Sequence, residues 1–250
     1  MVDPSSVKLL TLARDLQRRK AREKRSLFVA EGIRAVEELS RSGLPIRGAL
    51  VTSRLSSSLR GESLLRHLDQ SGVEVTEVSD KDFQTAADTE SSQGVLAIGE
   101  VPARSLNTLE IGVECRILVL DAVQDPGNVG TILRTAAALG AAATVALTGT
   151  VDLWNSKVIR GSMGAQFTHP VVHAELGDLV AFLDRQSIEL WAADARGEPV
   201  ERTRAVKRLA IVVGNEGSGL NPEIRAKATR IISLPISSSV ESLNVAVAAG

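Results

Sequence analysis

Tyrosine is absent from this 250-residue chain, and the other aromatic residues are scarce: four phenylalanines and two tryptophans. Platforms that stack successive bases need exposed rings. Any contact with nucleic acid would therefore rest on shape, 2′-hydroxyls and phosphates. The single cysteine, Cys115, excludes an intramolecular disulfide, so an oxidising compartment is not implied. The three histidines (His67, His169 and His173) have no cysteine or acidic partner at ligand spacing, and no metal site is expected. No apolar run approaches the roughly 20 residues that cross a bilayer. The opening MVDPSSVK lacks the apolar stretch of a signal peptide. A cytoplasmic protein without membrane attachment is expected. A net charge of −1 argues against a large uniform basic footprint.

What is present is ordinary for a globular protein: 44% hydrophobic and 24% charged residues. At about 150 residues per domain, two domains fit the length. Charge is unevenly spread. Residues 8–25 hold eight basic side chains (Lys8, Arg14, Arg18, Arg19, Lys20, Arg22, Lys24, Arg25) against Asp15 and Glu23. Such a segment is either a solvated helix face or a phosphate-binding strip.

Periodicity outlines the domains. Residues 7–20 carry leucines at helical spacing, and 31–40 place Ile33, Val36 and Leu39 on one face before Ser42 and Gly43 stop the helix. Strand-like runs fall at 27–29, 46–52, 73–78 and 95–101, with helical stretches near 60–70 and 79–87. Residues 1–101 thus read as a small α/β domain. Residues 102–114 are polar, contain Pro102 and read as a linker. From residue 115 the pattern changes. Continuous apolar runs at 117–120, 144–148, 170–173, 188–193, 209–213 and 230–234 alternate with helical stretches at 128–139, 154–161, 175–186 and 222–228. That alternation is the mark of a mostly parallel sheet covered on both faces. In such sheets ligands sit beyond the carboxyl ends of the strands, which directs attention to the loops after 120, 193, 213 and 234.

Three of these loops carry unusual residues. In the first, Pro126 and Gly127 make a turn, Asn128 is a suitable helix cap, and Arg134 lies two turns on, sharing a face with Gly127 and Gly130. A capped helix with a solvated arginine would look the same. The second, 213–220, has Gly214, Gly217 and Gly219 within six residues, with Asn215 and Glu216 between them. Its G-x-x-G-x-G spacing is not the dinucleotide G-x-G-x-x-G, which argues against an oxidoreductase. Glu216 would repel a pyrophosphate but suits a cationic ligand; a plain glycine-rich turn is the simpler alternative. In the third, a strand ends at Pro235 and a helix starts near Ser242, where Ser242 and Asn244 offer short polar side chains beside free backbone N–H groups. A simple capped helix accounts for this as well.

Together the segments N-x-G-x-x-x-R (128–134), V-G-N-E-G-x-G-L (213–220) and L-P-I-x-x-x-V-E-S-L-N-V-A-V-A (234–248) resemble the three motifs of the SpoU (TrmH-like) RNA methyltransferases. The resemblance covers roughly 116–250. Residues 27–43 and 92–97 resemble the substrate-binding domain, similar to ribosomal protein L30e, that precedes the catalytic domain in many ribosomal-RNA members. The resemblance implies a trefoil-knotted α/β domain at 115–250 that binds S-adenosylmethionine and pairs into a homodimer across the site. It implies methyl transfer to a ribose 2′-hydroxyl of structured RNA, with large-subunit (23S) ribosomal RNA as the expected substrate. Transfer RNA, or RNA binding without catalysis, are the alternatives.

Carried over residue by residue, Arg134 matches the family's catalytic arginine. Asn128, Glu216, Ser242 and Asn244 match its other active-site positions. Gly214, Leu234 and Leu243 would line the cofactor pocket, with Ala193, Asn215 and Gly219 beside it. Arg18, Arg19, Lys20, Arg22, Lys24 and Arg25 are the expected RNA phosphate contacts. Two departures stand out: Ile236 and Ser238 replace the family's usual methionine and glycine, and the last helix is shorter up to Gly250 than the family pattern leads one to expect.

Overall fold

The structure, a computed structural model, describes residues 4–237 and 242–250; Ser238 lies outside them. These residues form two compact units. One comprises Met1–Ala103 with Trp154–Phe167, the other Arg104–Leu153 with Thr168–Gly250.

In the first unit, α1 (Pro4–Asp15) and α2 (Arg19–Arg25) replace the single helix expected over 7–20. Arg22 explains the break. It is only 6% exposed, and its guanidinium donates to the carbonyls of Leu16 and Gln17 at 2.7 and 3.0 Å, capping the end of α1. Arg22 is therefore turned inward, contrary to its expected place among the phosphate contacts. A four-stranded sheet follows, with β1 (Leu27–Glu31), β2 (Ile46–Val51), β3 (Val75–Glu77) and β4 (Val95–Glu100) in the order β1-β4-β2-β3. Helices α3 (Ile33–Arg41), α4 (Leu59–Gln70) and α5 (Asp80–Gln84) connect them, the last two capped by Ser58 and Ser79. Helix α7 (Ser156–Gly161) also packs here, because Phe28 of β1 meets Trp154 and Phe167 at ring-centroid distances of 4.7 and 5.4 Å.

The second unit is a six-stranded, wholly parallel sheet. Its strands are β5 (Cys115–Leu120), β6 (Ala143–Leu147), β7 (Val171–Ala174), β8 (Glu189–Pro199), β9 (Arg208–Val213) and β10 (Arg230–Ser233). They lie in the order β10-β8-β9-β5-β6-β7. Helices α6 (Pro126–Ala138), α8 (Leu176–Arg185), α9 (Pro222–Lys227) and α10 (Val245–Ala248) accompany them. The apolar runs lie inside: Ile117, Val119, Val145, Ala192, Ala210 and Val212 share one core cluster with Leu179 and Leu183 of α8. Part of the expected linker joins this unit, since Leu106 is buried in that cluster and Arg104 donates to the carbonyl of His169 at 2.9 Å.

The strand expected over 188–193 continues to Pro199, but not as regular ladder. Ile231 pairs with Ala192, while the next residue, Ile232, pairs with Glu198. Residues 193–197 are thus an excursion between two paired stretches of β8. Gly197 makes the return possible, because a Cβ there would stand 2.5 Å from the carbonyl carbon of Ile232.

Candidate active site at the carboxyl ends of the sheet

Strands β5 and β9 are hydrogen-bonded neighbours, and β8 and β10 extend the sheet beyond β9. Their following loops leave the sheet at the same end, because all are parallel. Helix α6 begins in the loop after β5. Its cap is Asp125, not Asn128: Asp125 accepts the Asn128 amide at 2.7 Å, and Pro126 takes the first helical position. Asn128 is freed from capping and lies in the first turn.

Its side chain joins the three loops. Glu216 accepts from Asn128 Nδ2 at 3.0 Å, and Asn128 Oδ1 accepts from Asn244 Nδ2 at 3.0 Å. The amide can point only one way. An ionised carboxylate only accepts, so the NH2 group of Asn128 must face Glu216, leaving its oxygen for Asn244. Asn244 in turn caps α10, its own oxygen taking the Ala246 amide at 2.9 Å. The last helix thus begins at Val245, later than the start near Ser242 that the sequence suggests. Ser242 is exposed and joins none of these bonds among the described residues.

Glu216 also faces the amides of Gln124 and Asp125, both at 3.4 Å. Partial burial works against its charge. The hydrogen bonds from Asn128, from its own backbone amide and from those two amides outweigh it and hold the carboxyl below its ordinary value. The loop therefore presents a fixed negative charge. Its shape is set by Asn215, whose Oδ1 accepts the Gly217 and Ser218 amides at 2.9 Å each and whose Nδ2 donates to the Ala122 carbonyl at 2.8 Å. Asn215 and Gly219 exchange backbone bonds of 3.0 Å across the turn, and Gly219 has φ +70°. Gly214 must stay bare, since a Cβ there would meet the Gly219 carbonyl carbon at 2.5 Å. Asp121, buried at the end of β5, accepts the Asn221 amide at 2.6 Å and fixes the start of α9. Asp121 went unremarked in the sequence, although an acidic residue at the end of a buried strand was a readable signal.

The remaining expected site residues are placed as follows. Leu234 and Leu243 are 42% and 41% exposed, unusual for leucine. Ala193 opens the excursion of β8. Arg134 is exposed on α6, and its side chain makes no hydrogen bond or ion pair to any described residue; one copy of the chain does not bring it into the Asn244–Asn128–Glu216 relay. No cluster of three or more potential metal ligands occurs among the described residues. None of their helices is long and apolar enough to cross a membrane.

The arrangement is that of an open parallel α/β protein whose loops converge at the carboxyl ends of the strands, where proteins of this class bind ligands. Residues 116–250 match the SpoU rRNA Methylase family, and residues 7–97 match the MRM3-like substrate binding domain. Over 237 residues the chain is 33% identical to the 23S rRNA (guanosine(2553)-2′-O)-methyltransferase RlmP of Bacillus subtilis (strain 168), covering 94% of this chain and 90% of that protein. An AdoMet-bound rRNA methyltransferase from Sinorhizobium meliloti superposes with a TM-score of 0.84 at 26% identity, covering 100% of this chain and 93% of that one. The SpoU methyltransferase AviRb from Streptomyces viridochromogenes, in complex with AdoMet, gives 0.88 at 25% identity, covering 96% and 93%. The chain belongs to the SpoU rRNA methylase family.

Proposed function

We propose that this protein transfers a methyl group from S-adenosylmethionine to a ribose 2′-hydroxyl of 23S ribosomal RNA. The observation that carries the reading is the Asn244–Asn128–Glu216 relay, which ties the three motif loops into one site in a chain of this family. The residues present suit the cofactor. Glu216, held ionised, complements a cationic sulfonium, and the half-exposed Leu234 and Leu243 offer apolar surface. Gly214, Leu234 and Leu243 would hold it, with Ala193, Asn215 and Gly219 alongside. When bound, S-adenosylmethionine supplies an electrophilic methyl group.

The chain's own residues do the rest. Arg134 stabilises the oxyanion that develops at the ribose as the hydroxyl proton passes to water, and holds the adjoining phosphate. Asn128 and Asn244 keep the motif loops in register, and Glu216 sets the charge of the cofactor loop. Ser242 remains a candidate for contact with substrate or cofactor. Two copies of the chain pack across the site and bring Arg134 to it. The exposed Leu139 at the end of α6 and Val247 on α10 supply apolar surface for that contact. In this reading the domain at 115–250 is trefoil-knotted, residues 1–101 grip RNA, 102–114 connect the two, and the protein works in the cytoplasm.

Among the basic residues of α2 and its flank, Arg18, Lys20 and Lys24 are exposed, and their side chains make no bond to a described residue. Arg19 pairs with Glu23 at 2.7 Å and Arg25 with Asp15 at 3.5 Å. Arg18, Lys20 and Lys24 are thus the strongest phosphate contacts, with Arg19 and Arg25 secondary.

The test is to incubate the protein with tritiated S-adenosylmethionine and separated ribosomal and transfer RNA, then map the labelled ribose. Label confined to transfer RNA overturns the substrate assignment. Arg134→Ala abolishes methyl transfer and leaves cofactor affinity nearly intact; turnover at the wild-type rate overturns the role given to Arg134.

A further inference from the structure

Helix α9 is fastened at three points. Its start is held where Asp121, the residue after β5, takes the Asn221 amide at 2.6 Å, and the Asn221 side chain caps Glu223 at 2.9 Å. Just past its end, the amide and hydroxyl of Thr229 both donate to the Leu190 carbonyl of β8, at 2.8 and 3.0 Å. In the middle, Arg225 forms a hydrogen-bonded ion pair with Asp194.

Asp194 stands at the root of the β8 excursion, one residue after Ala193. It also accepts the Arg196 amide at 2.9 Å and faces the Arg196 guanidinium at 3.6 Å. The far end of the excursion is fixed separately, by Gly197 packed on the Ile232 backbone and by Ser233, whose hydroxyl donates to the Gly197 carbonyl at 2.9 Å. A largely buried carboxylate is stable only with its partners. Burial opposes the charge of Asp194, but the Arg196 amide and the guanidiniums of Arg225 and Arg196 hold its carboxyl below the ordinary value. Nothing in the catalytic reading so far uses this pair.

We propose that Asp194, clamped to Arg225, is a positioning residue that presets the course of residues 193–197, and with it the wall of the cofactor pocket that Ala193 borders. The proposal rests on the cofactor reading given above. A binding constellation works only when its supporting residues hold it to within about 0.5 Å. The ion pair therefore controls affinity for the cofactor, and it acts through backbone shape without touching the reacting atoms.

The test is titration calorimetry with S-adenosylmethionine, alongside kinetics, for the full chain and for Asp194→Ala and Asp194→Asn. Asp194→Ala is expected to weaken S-adenosylmethionine binding by roughly 10- to 100-fold. At saturating cofactor, kcat should stay within about threefold of wild type, and RNA affinity should not change. Asp194→Asn keeps an acceptor for the Arg196 amide and should fall between. Arg225→Met, which leaves Asp194 its bonds to Arg196, should also weaken S-adenosylmethionine binding and carries the test should Asp194→Ala not fold. Wild-type cofactor affinity in the variants overturns the proposal. So does a parallel fall of cofactor affinity, RNA affinity and kcat, the mark of general unfolding. Wild-type protein that takes up no S-adenosylmethionine overturns the cofactor reading first and this inference with it.

Discussion

Asn128→Ala cuts the relay at its centre. It removes two side-chain hydrogen bonds, one to Glu216 and one from Asn244, each 3.0 Å long. A net hydrogen bond contributes about 0.5–1.5 kcal/mol. Because Glu216 is exposed, the added strength of a buried charged acceptor is not counted, and the loss comes to about 2 kcal/mol. For a protein of this size that lowers Tm by roughly 4–8 °C. The pH dependence is the sharper test. Asn128 helps hold the Glu216 carboxyl below its ordinary 4.5. A group with a depressed folded value adds stability above its unfolded value and loses it as pH falls through the folded one. The Tm gap between wild type and variant should therefore be full near neutrality and shrink below the ordinary 4.5. Asn128→Asp sets a second carboxylate against Glu216 and should be worse than alanine near neutrality, recovering on acidification. Scanning calorimetry at neutral and acid pH reads all three. A gap that does not change with pH, or an aspartate variant no worse than alanine, would refute the account of Glu216.

Gly214→Ala drives a Cβ into the Gly219 carbonyl carbon at 2.5 Å, so the turn must open; about 1–3 kcal/mol of stability and most cofactor affinity should go, read by thermal unfolding and calorimetry. Arg22→Ala should lower Tm, because the Leu16 and Gln17 carbonyls lose their donor, at about 1–3 kcal/mol. Lys24→Ala should leave Tm alone and weaken RNA binding, with the salt dependence falling by about one unit of slope. Identical stability effects from the two substitutions would show that Arg22 is not structural.

The sequence made the alternation of strands and helices legible because a two-sided buried strand is a continuous apolar run, as at 117–120 and 209–213, and little else produces one. The three loops were legible for the same reason: they follow those runs. What could not be read were pairings across long stretches of chain. Asn128 finds Glu216 88 residues away and Asn244 116 residues away, and no local pattern announces either. Asn128 was read as a cap because its residue type suits one, although Asp125 before Pro126 is the better signature. Arg22 looks like its neighbours in composition; only the turn between α1 and α2 shows that it faces two carbonyls. The loop after 193 was legible, but not its return to the sheet: nothing local announces that Glu198 and Pro199 resume pairing beyond it.

The wide spacing of the relay has a consequence for how the protein matures. Closing a loop of more than a hundred residues is slow beside winding a local helix. The basic turn around Lys20 and Lys24 is built from neighbours in the chain, whereas Asn128 and Asn244 meet across 116 residues. In the reading proposed above, the cations that meet RNA thus depend on local structure, and the joined loops do not. On that reading methyl transfer requires the whole topology, whereas contact with RNA requires only one turn of chain.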